Sequence, residues 1–523
     1  MIKKRLIFIS VTLAVLILVL LADYFDGGYF YNATPGTNSF EKKYVRTQSE
    51  IDEYFDGMTV TDVETDLLSY EGNSIAYADA DNTFYITVDI SGDSPDISPI
   101  SSDHKMLWLN NDGYDDMAEA IADGTVFTVY VKVDGDSYFS ANVVFTGMPV
   151  MTMETLDDNE TCVFEDDDGW RSTISIWNQY SDDSFYISDT ASVKYRGATS
   201  LAYDKKGMRF EFDDASYSLL GMESDDDWNM NALYDDYGLI HNELSYEVWN
   251  EIASTNESDY DTGIYQEYIE VIVDGEYMGV YGLQDRYDKK KLNLQDGDIL
   301  YKTISGSTPT TVEEVMEWST LIKWPDDYTV ADYVTICDWF TTFSSRENDY
   351  EDAKSILDLE ESIDFALFTN LSCGRDNRLK NVYHVARLQE DGSYKLQSLP
   401  WDENVTWGEA ISDTSVFFTE ENYTYEELAW DIRTLANMNS EEVSEMLYDR
   451  WQELRESVIT LDNLESIADA DFEYLHSSGA YDRNYTKWPD SYGDWSDDLI
   501  YSFMENRLEY LDNYYESFYN DNH

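Results

Sequence analysis

Cysteine is scarce in this chain of 523 residues, with only Cys162, Cys337 and Cys373, far apart. That excludes a disulfide framework. The lack of any C-x-x-C pair or His/Cys cluster leaves no zinc signature, and the 5 histidines are scattered. Low cysteine usage fits an exported bacterial protein and a cytosolic one alike. Basic residues are the second shortage. Lys and Arg number 33 against 107 Asp and Glu, a formal net charge of −74. Nucleic-acid binding needs clustered cations to neutralise phosphates, so this composition argues against it. It argues equally against adsorption to an anionic membrane surface. The acidity reads as a solubilising surface for a salty or extracellular setting, with docking of basic partners as the alternative.

Long hydrophobic runs are also missing, with one exception at the N-terminus. Lys3, Lys4 and Arg5 precede an uncharged, mostly apolar run from Leu6 to Ala22. As a helix it spans roughly 26 Å, the short end for a membrane crossing. The positive flank predicts an N-terminus inside and the acidic bulk outside. Residues 1–25 are therefore read as a signal anchor in the membrane. A cleaved signal peptide, giving a secreted protein, is the alternative.

What is present is enough for sizeable cores: 43% hydrophobic and 15% aromatic residues. Residues 26–40 read as a tether. Between Val60 and Phe145 the apolar residues alternate, and Val126–Val133 with Tyr138–Phe145 reads as a hairpin. A small β-sandwich is expected for 26–147. Strands are expected again near Val150–Met153, Thr173–Ile176, Ala191–Tyr195 and Met208–Phe212, with a helix from about Gly238 to Ile252. Asp274-Gly275 between two apolar runs is a two-residue hairpin signal. After residue 310 the pattern turns helical: 329–343, 362–373, 424–436, 440–461, 463–476 and 496–520. One strand pair interrupts it, Asn381–Arg387 with Tyr394–Leu399. The expectation is an α+β chain, with a β-rich lobe over 148–305 and a helical lobe over 306–523. Trp249, Trp339, Trp430 and Trp451 fall on apolar helical faces and read as core.

Asp376, Asn381 five residues later and Asp402 beyond a strand pair form the arrangement that phosphoryl transfer needs. One carboxylate accepts the proton of an attacking hydroxyl, while an amide oxygen and a second carboxylate hold Mg²⁺ against the ATP phosphates. The D-x4-N spacing equals that of the protein-kinase catalytic loop. In so acidic a chain the pattern is weak alone, and its context carries the weight.

Six stretches supply that context. They are Val193–Ser200 (V-K-Y-R-G-A-T-S), Asp204–Phe212 (D-K-K-G-M-R-F-E-F), Trp228–Asp235 (W-N-M-N-A-L-Y-D), Val271–Tyr281 (V-I-V-D-G-E-Y-M-G-V-Y), Gly374–Tyr383 and Pro400–Gly408. In order and in type they resemble the motifs of the spore-coat CotH kinase family, over about residues 148–520. The resemblance implies a divergent bilobal kinase-like fold that binds ATP with Mg²⁺ and phosphorylates protein Ser or Thr. It makes Asp376 the general base and Asn381 and Asp402 the Mg²⁺ ligands, with Asn404 an additional oxygen donor. Three departures stand out. Asn404 replaces a usual second Asp, His241 stands where Arg is common, and Ala198 replaces an Asn. An amide ligand carries no charge, so the first departure weakens metal binding.

ATP also needs cations. Lys206 and Arg209 lie three apart, so on a regular strand only one points inward, and Lys206 is favoured. Arg196 touches phosphate or braces its loop. Gly197 lets backbone N–H groups approach, although no Gly-rich loop is present. Glu247 is read as the helix partner of the strand cation, with Glu243 its rival one turn earlier. Lys302 is a second phosphate candidate. The expected partner is a basic, Ser-rich protein. Two further readings stay open: an inactive kinase-fold scaffold of the envelope, and a polysaccharide adhesin acting through the N-terminal β-domain.

Overall fold

Residues 45–523 are described by the computed structural model, except 64–67, 71–73, 89–96, 100–104, 110–116, 158–160, 165–168, 179–185, 257–260, 345–349, 410–423, 425, 427 and 492–494. The apolar run 6–22 and the tether 26–40 lie outside the described residues. Among those residues no helix is long and apolar enough to cross a membrane.

Helices and strands are mixed along the chain. The early strands are β1 (Val45–Arg46), β2 (Thr59–Val60), β3 (Leu68–Tyr70), β4 (Ala76–Ala78), β5 (Thr83–Thr87), β6 (Ile97–Pro99) and β7 (Lys105–Leu109). Then come β8 (Val126–Lys132), β9 (Ser137–Thr146), β10 (Val150–Thr155), β11 (Trp170–Trp177) and β12 (Tyr186–Arg196). The middle holds β13 (Gly207–Phe212), β14 (Asp227–Asn231), β15 (Gln266–Val273) and β16 (Glu276–Gln284). Last are β17 (Ile299–Thr303), β18 (Thr320–Trp324), β19 (Val382–Leu388) and β20 (Tyr394–Pro400). The helices start with α1 (Gln48–Tyr54), α2 (Met117–Ala122), α3 (His241–Ala253), α4 (Val330–Ser344), α5 (Tyr350–Ile356) and α6 (Leu359–Ser372). They finish with α7 (Trp430–Met438), α8 (Ser440–Arg455), α9 (Leu461–Ser477), α10 (Ala480–Lys487) and α11 (Asp498–Asn522).

The chain divides into two compact units, each discontinuous in sequence. The first takes residues up to Lys194, then Tyr268–Tyr281 and Tyr474–Lys487. The second takes Tyr195–Glu267, Gly282–Glu473 and Trp488–His523. Consecutive boundaries at 147 and 305, as drawn from the sequence, do not describe this division.

The first unit contains a mixed sheet in the order β1-β7-β8-β9-β5-β4, with β2 on β9, and a separate β3-β6 pair. Phe127, Val129 and Val131 alternate along β8 and share a core with Ala120 and Ile121 of α2. Ile51 of α1, with Phe55 just beyond it, packs on Leu107. Where a β-sandwich was expected for 26–147, the described residues show this mixed sheet with helices packed on it, beside the separate β3-β6 pair. Alternation reports which side chains are buried and is silent on what covers them. The β15–β16 hairpin forms as predicted. Asp274 and Gly275 both take positive φ, 47° and 77°, as a tight two-residue turn requires. On β15 of this unit Glu270 is fully buried. Arg483 of α10 meets it with Nε and Nη2 at 2.9 and 2.8 Å, and Tyr277 Oη donates to it at 2.5 Å.

In the second unit an antiparallel sheet runs β18-β17-β19-β20. The sequence pattern missed β17 and β18. Helix α3 buries Leu244, Val248, Trp249 and Ile252, and Trp249 packs edge-on to Phe365 and Phe368 of α6. Trp339 and Trp451 are buried, and Trp430 packs on Phe340 and Phe343. The core reading of these tryptophans therefore holds.

The Glu270–Arg483 pair allows a stability test. Arg483→Met leaves a buried carboxylate without its cation, a change that typically costs about 3–5 kcal/mol. Urea unfolding of the full chain should show that loss, and Glu270→Gln combined with Arg483→Met should recover part of it. A loss below about 1 kcal/mol for the single variant would sink the assignment, since that is the size of an exposed pair.

Candidate functional site

Helix α6 stops where Cys373 enters the left-handed region, at φ 57°, and Gly374 N–H closes the turn onto Thr369 O at 3.0 Å. This stop releases the segment that carries Asp376. Five residues on, Asn381 also takes positive φ, 58°, and its N–H donates to Thr303 O at 3.0 Å, starting β19 beside β17. Asp402 follows β20 with φ 64°. Asn and Asp tolerate this conformation better than most residues, and such strain concentrates at functional sites.

The structure brings Asp376 and Asn381 side by side. Asp376 Oδ2 accepts from Asn381 Nδ2 at 3.0 Å and from Lys380 Nζ at 2.5 Å. The Asn381 amide thereby points its NH₂ at the carboxylate and leaves Oδ1 as an oxygen donor. Asn377 ties this loop to that of Asp402. Its Nδ2 donates to Trp401 O at 2.9 Å, Asp402 O at 3.2 Å and Glu403 Oε1 at 3.0 Å. From the other side Asp402 N–H donates to Tyr246 Oη at 3.2 Å, and Glu403 N–H to Asn242 Oδ1 at 2.9 Å, both on α3. Asp402 itself is exposed, whereas Glu403 is fully buried. Burial first, then Asp402, pushes the Glu403 carboxyl well above the usual carboxylate range. Asn404 is half-buried in the same turn.

Cations gather around Asp402. Lys302 Nζ lies 5.5 Å from the Trp401 ring centroid, and the Arg196 guanidinium 5.7 Å from the same ring. Burial pulls Lys302 down to about 8, against the attraction of Asp402 and with the repulsion of Arg196, Lys323 and Lys380. Burial likewise lowers Arg196, and Asp402 opposes the shift. Arg209 Nε donates to Asp227 Oδ1 at 2.7 Å, and Arg286 pairs with the same carboxylate. Arg286 is pulled down to about 10, by burial and then by Arg209. Sequence reasoning missed Arg286. It sits just past β16, and no spacing rule singles it out.

The remaining candidates lie as follows. Gly197 has φ 126°, and a Cβ there would sit 2.1 Å from Ser200 Oγ, so the loop admits little but glycine. Lys206 Nζ rests 5.4 Å from the Tyr195 ring centroid. Its neighbour Lys205 is the buried one, with burial pushing its amine far down. Glu247 faces other acids, where a strand cation was expected. Glu243, Glu247 and Glu251 recur at helical spacing along α3, and Glu267 and Asp471 join that face. Burial, then Glu251, raises Glu247 to about 7, and, although Glu267 is an exposed residue, desolvation of its carboxyl, then Glu247, raises it to about 7. Buried His241 shares Asp236 through Nδ1 at 3.0 Å and lies 3.7 Å from Glu409. It serves the α3 N-terminus, where Asp236 also accepts from the His241 and Asn242 N–H groups.

Among the described residues, no group of three or more His, Cys, Asp or Glu is placed to hold a metal ion. Mg²⁺ does not need one, because it takes one or two protein oxygens and completes its shell with phosphate and water. The Asp402 carboxylate and Asn381 Oδ1 have that hard-oxygen chemistry. Residues 193–517, more than half the chain, match the family described as CotH kinase protein. The chain belongs to that family. No curated protein gives a significant match to it.

The α3 acids set a pH dependence. The folded-state affinities of Glu247 and Glu267 for protons exceed those of the unfolded chain, so the folded state binds more protons between about pH 4.5 and 7, and stability falls as pH rises through that window. Thermal melts across pH 4.5–8 should show this decline, flattened in Glu247→Gln and Glu267→Gln. Parallel curves for all three proteins would refute it.

Proposed function

We propose that this protein transfers the γ-phosphate of ATP, with Mg²⁺, to a Ser or Thr hydroxyl of a protein substrate. The observation that carries the reading is the joining of Asp376 and Asn381 at 3.0 Å beside the turn of Asp402, with cations gathered on that turn. In a chain of net charge −74 such a gathering calls for an anion. Asp376 takes the hydroxyl proton as the new O–P bond forms and the bond to the β–γ bridging oxygen breaks, releasing ADP. Bound Mg²⁺ would neutralise phosphate charge, held by Asn381 and Asp402, with Asn404 adjoining. Lys302, Arg196 and Arg209 face the phosphates, with Arg286 sharing Asp227. The N-terminal apolar run extends the proposal to an exported, membrane-anchored or secreted protein of a bacterial envelope. A second reading, an inactive kinase-fold scaffold, draws on Asn404 in place of a carboxylate and on the lack of a Gly-rich loop.

The full chain is the material for the test, since the first unit draws on three separate stretches. With labelled ATP, Mg²⁺ and a basic, Ser-rich protein, Asp376→Asn should slow transfer about 10²–10⁴-fold while leaving nucleotide binding in place. Asp402→Ala should abolish Mg²⁺-dependent ATP binding in calorimetry. Equal, absent transfer in wild type and Asp376→Asn defeats the enzymatic reading. Lys302 adds a pH signature. It is protonated below about 8 and neutral above, so ATP affinity should fall as pH rises through and beyond that value. Lys302→Arg, charged throughout, should remove that fall.

A further inference from the structure

Half of the exposed large apolar side chains of the described residues lie between residues 304 and 334, among them Met316, Trp318, Leu321, Tyr328 and Val330. Such a concentration marks an interaction surface more often than chance exposure. It surrounds β18, the outer strand of the β18-β17-β19-β20 sheet. Leu321, 44% exposed, pairs with Lys302, which pairs in turn with Tyr383 on β19. Residues directly opposite on neighbouring strands share a face. The row Leu321–Lys302–Tyr383 therefore runs from the sheet edge to the candidate site.

The edge also has backbone to offer. Ile304 N–H donates to Ser319 O at 2.9 Å. By the alternation of antiparallel ladders, Ser319 and Leu321 face β17, and Thr320 and Ile322 face outward. Thr320 N–H is taken by Val315 O. Among the described residues, no hydrogen bond reaches the outward N–H and C=O of Ile322. Ile322 itself is buried, with its side chain in the core and its backbone on the outer strand; unpaired sheet edges recruit extended chains as added strands. The flanks state the charge of the recruit: Glu313, Glu317, Asp326 and Asp327 are exposed there, against Lys323.

We propose that the polypeptide substrate docks on β18 as an added strand. Its backbone pairs with Ile322, its apolar side chains lie on Leu321 and Trp318, and its Lys and Arg residues face the flanking carboxylates. This rests on the kinase reading above for what the docked chain is there to receive. Three ladder spacings separate an added strand from β19, about 14 Å. The acceptor hydroxyl then belongs about four residues beyond the paired segment, at about 3.4 Å per residue.

The test uses the full chain and a synthetic peptide of alternating Lys and Val, then a short Gly spacer ending in Ser. Hydrogen exchange without ATP should slow at Ile322 when the peptide binds. Trp318→Ala with Leu321→Lys, both at exposed positions, should weaken peptide binding about tenfold. The same pair should raise KM for the peptide and leave kcat unchanged. Protection elsewhere, or binding indifferent to both substitutions, overturns the docking proposal, because the peptide then sits on the general acidic surface. Docking at β18 without phosphate transfer leaves the proposal standing and defeats the kinase reading. Transfer without protection at β18 does the reverse.

Discussion

Everything at the candidate site depends on how the turn after β20 is held. Asp402 stands exposed with left-handed backbone, a conformation that survives only where its surroundings over-determine it. Asn377 grips the turn from the Asp376 loop with one amide nitrogen on three acceptors. Tyr246 and Asn242 grip it from helix α3. The helix is anchored in turn by Asp236, which accepts from the backbone at its first residues. One polar chain therefore runs from a helix start to a carboxylate that faces solvent. The loop of Asp376 and the turn of Asp402 share Asn377, so neither moves without the other.

Charge is distributed in two opposite ways within the second unit. Around Asp402 and Asp227, half-buried cations crowd together until desolvation and mutual repulsion lower Lys302 and Arg286. Along α3, carboxylates crowd until Glu247 and Glu267 hold protons near neutrality. The first arrangement raises the affinity for an anion. The second makes the helix that braces Asp402 sensitive to pH. Both desolvate like charges and so work against stability, and unfavourable local choices of this kind concentrate where function requires them.

Much of this was legible in the sequence, and the failures have physical causes. The Asp274-Gly275 turn, helix α3 and the β19–β20 pair follow from local rules, because turn chemistry and apolar periodicity act over a few residues. Asp376 and Asn381, five residues apart, meet in one hydrogen bond. Glu247 went astray because helical spacing says which residues share a face and not what that face meets. Here it meets Glu267 and Asp471, which are remote in sequence. Arg286 was invisible for the same reason, since its partner Asp227 lies on another strand. Strand β18 hid in a region of mixed charge and aromatic residues, where only pairing with β17 defines it.

The buried Glu270–Arg483 pair has a consequence in time. The two residues are 213 apart in sequence. A chain emerging from the ribosome carries Glu270 long before Arg483 exists, and until then the acid has no cation to justify its burial. The first unit, whose sheet strands β1 to β9 all lie before residue 147, is therefore completed only once residue 483 has been synthesised. Its folding waits on a stretch far downstream, and a chain interrupted before residue 483 is marked as unfinished at its beginning.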